Sequence, residues 1–170
     1  MNVPFFLPAN FNPDTFKTTA GSVPRILAVS SAGGHWVQLL RVVEAFRDCE
    51  VAFVTTHPSY RSQVAPCRFY AVNDSSRSDI LGLVRTAQQL ARIIWTERPD
   101  VVLSTGAAPG YIALRLAHLA QAKTVWLDSI ANVDELSLSG TKIGRYADLW
   151  LTQWPHLAGP NGPHYRGSVL

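Results

Sequence analysis

From Arg25 onward the chain alternates short, almost continuously apolar runs with longer stretches whose apolar residues recur at three- and four-residue spacing. The short runs are rich in β-branched residues and read as strands buried on both faces, and the longer stretches read as amphipathic helices that cover them. Six strands are predicted: Arg25 to Ser30, Glu50 to Thr55, Arg68 to Val72, Asp100 to Ser104, Lys123 to Asp128 and Leu149 to Gln153. A first helix, His35 to about Arg47, places Trp36, Leu39, Leu40, Val43 and Phe46 on one face and directs His35, Gln38 and Arg41 elsewhere. A second, Asp79 to about Glu97, carries the stripe Ile80, Leu83, Val84, Ala87, Leu90, Ala91 and Ile94, with Ser78 or Asp79 as its cap. A third, Pro109 to about Ala120, opens with proline in its first turn, where the missing amide costs nothing. Strands alternating with helices in this way give stacked βαβ units, a Rossmann-like parallel α/β sheet with helices on both faces. One domain, residues 25–170, accounts for the pattern; residues 1–24, rich in Pro, Asn and Thr, read as a flexible lead-in whose aromatic residues could touch a membrane or a partner.

Composition narrows the class. A chain of 170 residues with 47% hydrophobic and 16% charged residues has enough apolar side chain for a real core and is not of the disordered type. The net charge of +3 comes from scattered basic residues rather than a block, which argues against nucleic-acid binding. Cys49 and Cys67 form no CxxC pair, and no His or acidic cluster has metal-ligand spacing, so neither a disulfide framework nor a metal site is expected. No apolar stretch reaches the roughly 20 residues of a membrane-spanning helix. A cytoplasmic setting follows as the expectation.

In a parallel sheet, ligands bind beyond the carboxyl ends of the strands, so the chemistry is sought in the strand-to-helix turns. The first, Ser30-Ser31-Ala32-Gly33-Gly34-His35, delivers a helix N-terminus and an imidazole together. Its glycines allow a sharp turn and close approach to an anion, the helix amides point outward, and histidine can take a proton from a hydroxyl. The same two glycines also suit a merely tight connection. A second turn, Ser104-Thr105-Gly106-Ala107-Ala108-Pro109-Gly110, joins hydroxyls and small residues to another helix start, suiting either a phosphate or close packing against the first. The third, Asp128-Ser129-Ile130-Ala131-Asn132, carries a carboxylate that can hold a substrate hydroxyl, orient a histidine or cap the next segment. Dinucleotide, phosphate-loop and nucleophile-elbow signatures are all missing, which lowers the dehydrogenase, ATPase and hydrolase readings.

The segment Val125-Trp126-Leu127-Asp128-Ser129-Ile130-Ala131-Asn132 through Leu136-Ser137-Leu138-Ser139-Gly140, followed by Tyr146-Ala147-Asp148-Leu149 and Thr152-Gln153-Trp154, resembles the acceptor-side subunits of two-component UDP-sugar transferases. This family includes membrane-anchor subunits of N-acetylglucosamine transfer onto dolichol diphosphate and PssD-like exopolysaccharide subunits. The resemblance extends to Ser31-Ala32-Gly33-Gly34-His35, a turn also similar to that of MurG-type transferases, and to Ser104-Thr105-Gly106 with Pro109. It implies a single GT-B N-terminal half-domain, the acceptor-binding half of an enzyme divided between two chains. Asp128 stands where many relatives have glutamate, and the turn reads Ser-Ala-Gly-Gly rather than Ser-Gly-Gly. Residues 1–24 do not contain the membrane helix of the eukaryotic anchor subunit, so peripheral contact with the cytoplasmic membrane face is expected.

What the resemblance implies for the site is an inverting transfer from a UDP-sugar, best guessed as UDP-N-acetylglucosamine, to a lipid-diphosphate-linked or polysaccharide acceptor, with no cofactor beyond the donor. His35 would be the base. Gly33 and Gly34 would bind the acceptor phosphate together with Ser104, Thr105 and Gly106, and Asp128, Ser129 and Asn132 would position the acceptor hydroxyl or orient His35. A donor-side partner chain is implied, and Trp150, Trp154, Tyr165 and Val169-Leu170 offer a docking surface if they are not buried in this domain. Two other readings remain: a non-catalytic scaffold that recruits and orients the partner, and a flavodoxin-like nucleotide or flavin module.

Overall fold

The computed structural model describes residues 22–75 and 79–169. Residues 1–21, Ser78 and Leu170, on which the lead-in, one capping alternative and the apolar terminus partly rest, lie outside the described residues. Seven strands, β1 (Arg25–Val29), β2 (Glu50–Thr55), β3 (Arg68–Ala71), β4 (Val101–Ser104), β5 (Lys123–Leu127), β6 (Leu149–Thr152) and β7 (His164–Tyr165), form one sheet ordered β3-β2-β1-β4-β5-β6-β7. Every pairing is parallel. The six predicted strands are present within a residue of their expected ends. β7 was not foreseen, because two residues beyond a Gly-Pro loop carry no apolar run.

Four helices cover the sheet: α1 (Gly34–Val43), continued by a 3-10 turn at Glu44–Phe46, α2 (Ile80–Glu97), α3 (Ala107–Leu119) and α4 (Leu138–Ile143). One core layer packs Ile26, Ala28 and Phe53 against Trp36, Leu39 and Phe46 of the α1 side, and the other packs Leu27, Val29 and Trp126 against Leu90, Ile94 and Leu114 of α2 and α3. Alternate residues of β1 thus serve opposite faces, as a strand with helices on both sides requires. Asp79 caps α2 by accepting from the Gly82 amide at 2.8 Å. The six-residue α4 was missed in the sequence; Ser137 starts it by accepting from Gly140 N at 2.8 Å. None of the described helices is long and apolar enough to cross a membrane.

The predicted face of α2 needs correction. Ile80 and Leu81 are each 72% exposed and Val84 is also exposed, whereas Gly82, Thr86, Leu90, Ile93, Ile94 and Glu97 are buried. That stripe keeps helical spacing but begins with small and polar residues, so an apolar count misplaces it. Thr86 lets the helix sit close by bonding the Asn73 carbonyl at 3.1 Å, and Glu97 accepts from Arg68 Nε at 2.9 Å and from the Tyr70 hydroxyl.

The start of α3 is packed equally closely. A Cβ at Gly110 would lie 1.9 Å from Ser104 Oγ and 2.9 Å from Ser104 Cβ. Gly110→Ala is therefore expected to destabilise the fold by about 1–3 kcal/mol, outweighing alanine's better helix propensity. Thermal unfolding checks this, and an unchanged or raised Tm would refute it.

Candidate active site

The order of strands reverses between β1 and β4: the chain leaves β1 toward β2 on one side and leaves β4 toward β5 on the other. Such a switch point opens a crevice at the carboxyl edge of the sheet. Here the start of α1 meets the turn between β4 and α3. Thr105 Oγ1 donates to the His35 carbonyl at 2.7 Å, and the His35 ring lies over Gly106. A Cβ on Gly106 would come within 2.6 Å of His35 Nε2, and Gly106 has φ +136°, so glycine is required there on both counts.

At the α1 turn, Gly33 adopts φ +73° and the helical ladder begins with Val37 N donating to Gly33 O at 3.2 Å. The amides of Gly34, His35 and Trp36 therefore lie ahead of the ladder, at the positive end of the helix. Both Gly33 and Gly34 are exposed, and a Cβ on either would meet nothing within 4 Å. The two preceding amides are already engaged: Ala32 N donates to Thr56 Oγ1 and Gly33 N to the Tyr60 hydroxyl, each at 3.3 Å. What remains is a short arc of backbone N–H groups outside the ladder, exposed at Gly34 and turning inward at Trp36, beside one imidazole.

His35 Nδ1 lies 3.0 Å from Ser31 Oγ, and the Ser31 hydroxyl is itself directed at the Ala32 carbonyl, 3.4 Å away. In the tautomer whose Nδ1–H donates to the serine oxygen, the Nε2 lone pair is free. Burial lowers the His35 pKa from the ordinary histidine value, partly offset by the negative charge of Asp128. The neutral, proton-accepting form is thus favoured.

The remaining predicted residues are framework. Asp128 is 1% exposed and accepts from Ser137 N at 2.8 Å, Ser137 Oγ at 2.6 Å, Trp126 Nε1 at 3.3 Å and Asn132 Nδ2 at 3.3 Å. It closes the loop into α4 and reaches His35 through its field rather than through any of these bonds. Ser104 and Thr105 are fully buried; Ser104 Oγ accepts from Gly106 N at 3.1 Å. Ser129 is buried and accepts from Gln38 Nε2 at 3.1 Å and Ala131 N at 3.3 Å. Asn132 is half-buried beside Asp128. An anion at this rim would accordingly meet backbone amides of the first turn rather than these hydroxyls.

Gln38, expected to face elsewhere, is buried. Its Nε2 donates to Gly34 O at 3.2 Å and to Ser129, while Oε1 accepts from Ile130 N at 3.0 Å and Gln153 Nε2 at 2.6 Å. Gln153 in turn donates to Asp128 O at 2.9 Å and accepts from Val169 N at 2.9 Å. All four hydrogen-bonding positions of the Gln38 amide are used, so it joins three turns without a net charge. Val169 is core, not docking surface: it packs on the α1 face and its carbonyl accepts from Arg41 at 2.9 Å. Trp154 donates to Ile130 O at 2.9 Å, and Trp150 packs over Gly144, leaving Tyr165 as the exposed aromatic residue of that group. Gln153 belongs to the Thr152-Gln153-Trp154 motif, but a lone polar residue beside apolar Leu39 gave no such signal for Gln38. Among the described residues no three His, Cys, Asp or Glu gather as a metal would require.

A parallel sheet whose switch-point crevice brings a helix N-terminus against the next strand's turn defines a Rossmann-like α/β domain. MurG from Acinetobacter baumannii superposes with TM-score 0.68 at 13% identity, covering 85% of this chain and 45% of that one. UDP-N-acetylglucosamine 2-epimerase from Rickettsia bellii gives TM-score 0.66 at 14% identity, covering 87% of this chain and 46% of that one. The chain thus spans under half the length of these solved proteins, and the likeness concerns fold. In sequence, residues 59–169 match the family described as oligosaccharide biosynthesis protein Alg14 like. The chain belongs to this Alg14-like family. A relative in Yarrowia lipolytica, 23% identical over 182 residues that cover 91% of this chain and 84% of its own, is named UDP-N-acetylglucosamine transferase subunit ALG14.

Proposed function

We propose that this chain is the acceptor-side subunit of an inverting UDP-sugar glycosyltransferase, with N-acetylglucosamine as the sugar and a lipid-diphosphate-linked glycan as acceptor. The observation that carries the reading is His35, whose free Nε2 lies at the junction of the α1 amides and the Gly106 turn. The acceptor phosphate would lie over the Gly34, His35 and Trp36 amides, where the dipole and exposed N–H groups favour negative charge. His35 Nε2 would take the proton of the acceptor hydroxyl as its oxygen attacks the anomeric carbon and UDP departs with the bonding pair. Contacts to UDP would come from a donor-side partner chain, and no other cofactor enters. Family membership and the name of the Yarrowia relative support the division of labour.

An apolar groove of about 470 Å³ begins at Ala108, two residues from Gly106, and runs between Leu83, Val84, Ile112 and Leu138, with Lys142 at its edge. Ile80 and Leu81, in the first turn of the same helix α2, are exposed. A lipid tail leaving the phosphate would find an apolar lining there, and the exposed apolar side chains of α2 suit peripheral contact with the cytoplasmic membrane face.

The amide arc is tested by Gly34→Ala. The added methyl has free space in the folded chain, so stability should hold or rise slightly. It would stand where the anion must approach, and the KM for the lipid acceptor should rise about tenfold or more. An unchanged KM in the reconstituted two-chain enzyme would move the phosphate elsewhere.

A further inference from the structure

Beside the α1 turn three aromatic rings are stacked from the core to the surface. Trp36 is buried, meets Phe53 and Phe69 edge-on, and donates from Nε1 to Gln63 Oε1 at 2.8 Å. Tyr60, half-buried, stacks on Trp36 with centroids 5.1 Å apart and 21° between planes. His57, exposed, stacks on Tyr60 at 5.0 Å and 27°. The edges are held as well: Gly33 N donates to the Tyr60 hydroxyl, and His57 Nδ1 lies 2.7 Å from Ser59 Oγ.

Nothing in the stability of the domain calls for this outer ring to be fixed. Holding an exposed imidazole by its plane and its edge costs rotamer freedom and gains little burial. What it yields is a flat face prepared in advance, joined to the α1 turn through the Tyr60 hydroxyl that the Gly33 amide meets and edged by the Ser59 hydroxyl. A pyranose ring has the complementary build, with one face of C–H groups and a rim of hydroxyls. We propose that His57, backed by Tyr60 and Trp36, is a stacking platform for the sugar ring attached to the phosphate that the α1 turn binds. This rests on the proposed anion role of that turn and adds to it the sugar next to the phosphate. Neither His57 nor Tyr60 takes part in proton transfer; they set which sugar phosphate is held.

The test is an NMR titration of the full chain with inorganic phosphate and with N-acetylglucosamine 1-phosphate, in the native sequence, His57→Ala and His57→Phe. Phosphate should shift the Gly34, His35 and Trp36 amides in all three. The sugar phosphate should bind about tenfold more tightly than phosphate to the native chain and to His57→Phe, and lose that advantage in His57→Ala. A sugar phosphate no tighter than phosphate, or an advantage that survives in His57→Ala, overturns the platform while leaving the anion site standing. Shifts of those amides with neither ligand overturn the anion reading and the platform with it. His57 is exposed, so both variants should keep the native amide spectrum away from the turn.

Discussion

Replacing His35 with alanine should lower the turnover of the assembled transferase by about 10²- to 10⁴-fold, the usual worth of a positioned proton acceptor. The complex should still form, because the ring lies at the rim of the crevice over Gly106 rather than in either core layer. The pH profile gives a second reading of the same group. Burial favours the neutral imidazole, so the acid limb of kcat/KM should have its midpoint below the ordinary histidine value near 6.5. Asp128→Asn removes the charge that raises the His35 pKa and should move that limb lower still. The stability consequence has the same origin: in the folded chain this histidine takes up a proton less readily than in the unfolded chain. Its contribution is complete above pH 6.5 and declines as pH falls through that value toward the lower folded pKa. Unchanged turnover in His35→Ala would assign all chemistry to the partner and make this chain the scaffold that recruits it.

The second large effect concerns folding. Asp128→Ala leaves the buried Trp126 indole N–H and the part-buried Ser137 amide, Ser137 hydroxyl and Asn132 amide without their common acceptor. Each stranded buried donor costs about 1–3 kcal/mol, so a loss of about 3 kcal/mol or more is expected. Urea unfolding should show a lower midpoint with a similar slope. A midpoint within error of the native chain would mean that the loop into α4 is held by other contacts. Asp128→Asn should fall between the two, since one carboxamide oxygen still accepts while the nitrogen faces donors.

Six of the seven strands were legible because each carries an apolar run, which the sheet buries most completely in β1, β2, β4 and β5. The meeting of the Gly33-Gly34-His35 turn with the Ser104-Thr105-Gly106 turn was legible too, since a parallel sheet collects such turns at one edge. The division of labour among those residues was not. Serine and threonine hydroxyls look the same in a sequence whether they face a ligand or, like Ser104, accept from a neighbouring amide. Gln38 and the ring stack at His57 were hidden for a related reason: three of the four bonds of the first go to partners 91 or more residues away, and the second is set by a short 3-10 turn at Pro58–Gln63. Periodicity reports faces of regular elements, and neither relationship is periodic. On α2 the same limit acted in reverse, and Gly82 and Thr86 lie inward while Ile80 and Leu81 do not.

The bonds that tie Val169, its amide donating to Gln153 and its carbonyl accepting from Arg41, have a consequence for synthesis. The Arg41 contact bridges 128 positions of sequence. A ribosome therefore delivers the glycine turn long before the residue that completes its underpinning, and the crevice can reach its final form only after position 169 has emerged. Until then the nascent chain holds a sheet with an unfinished rim.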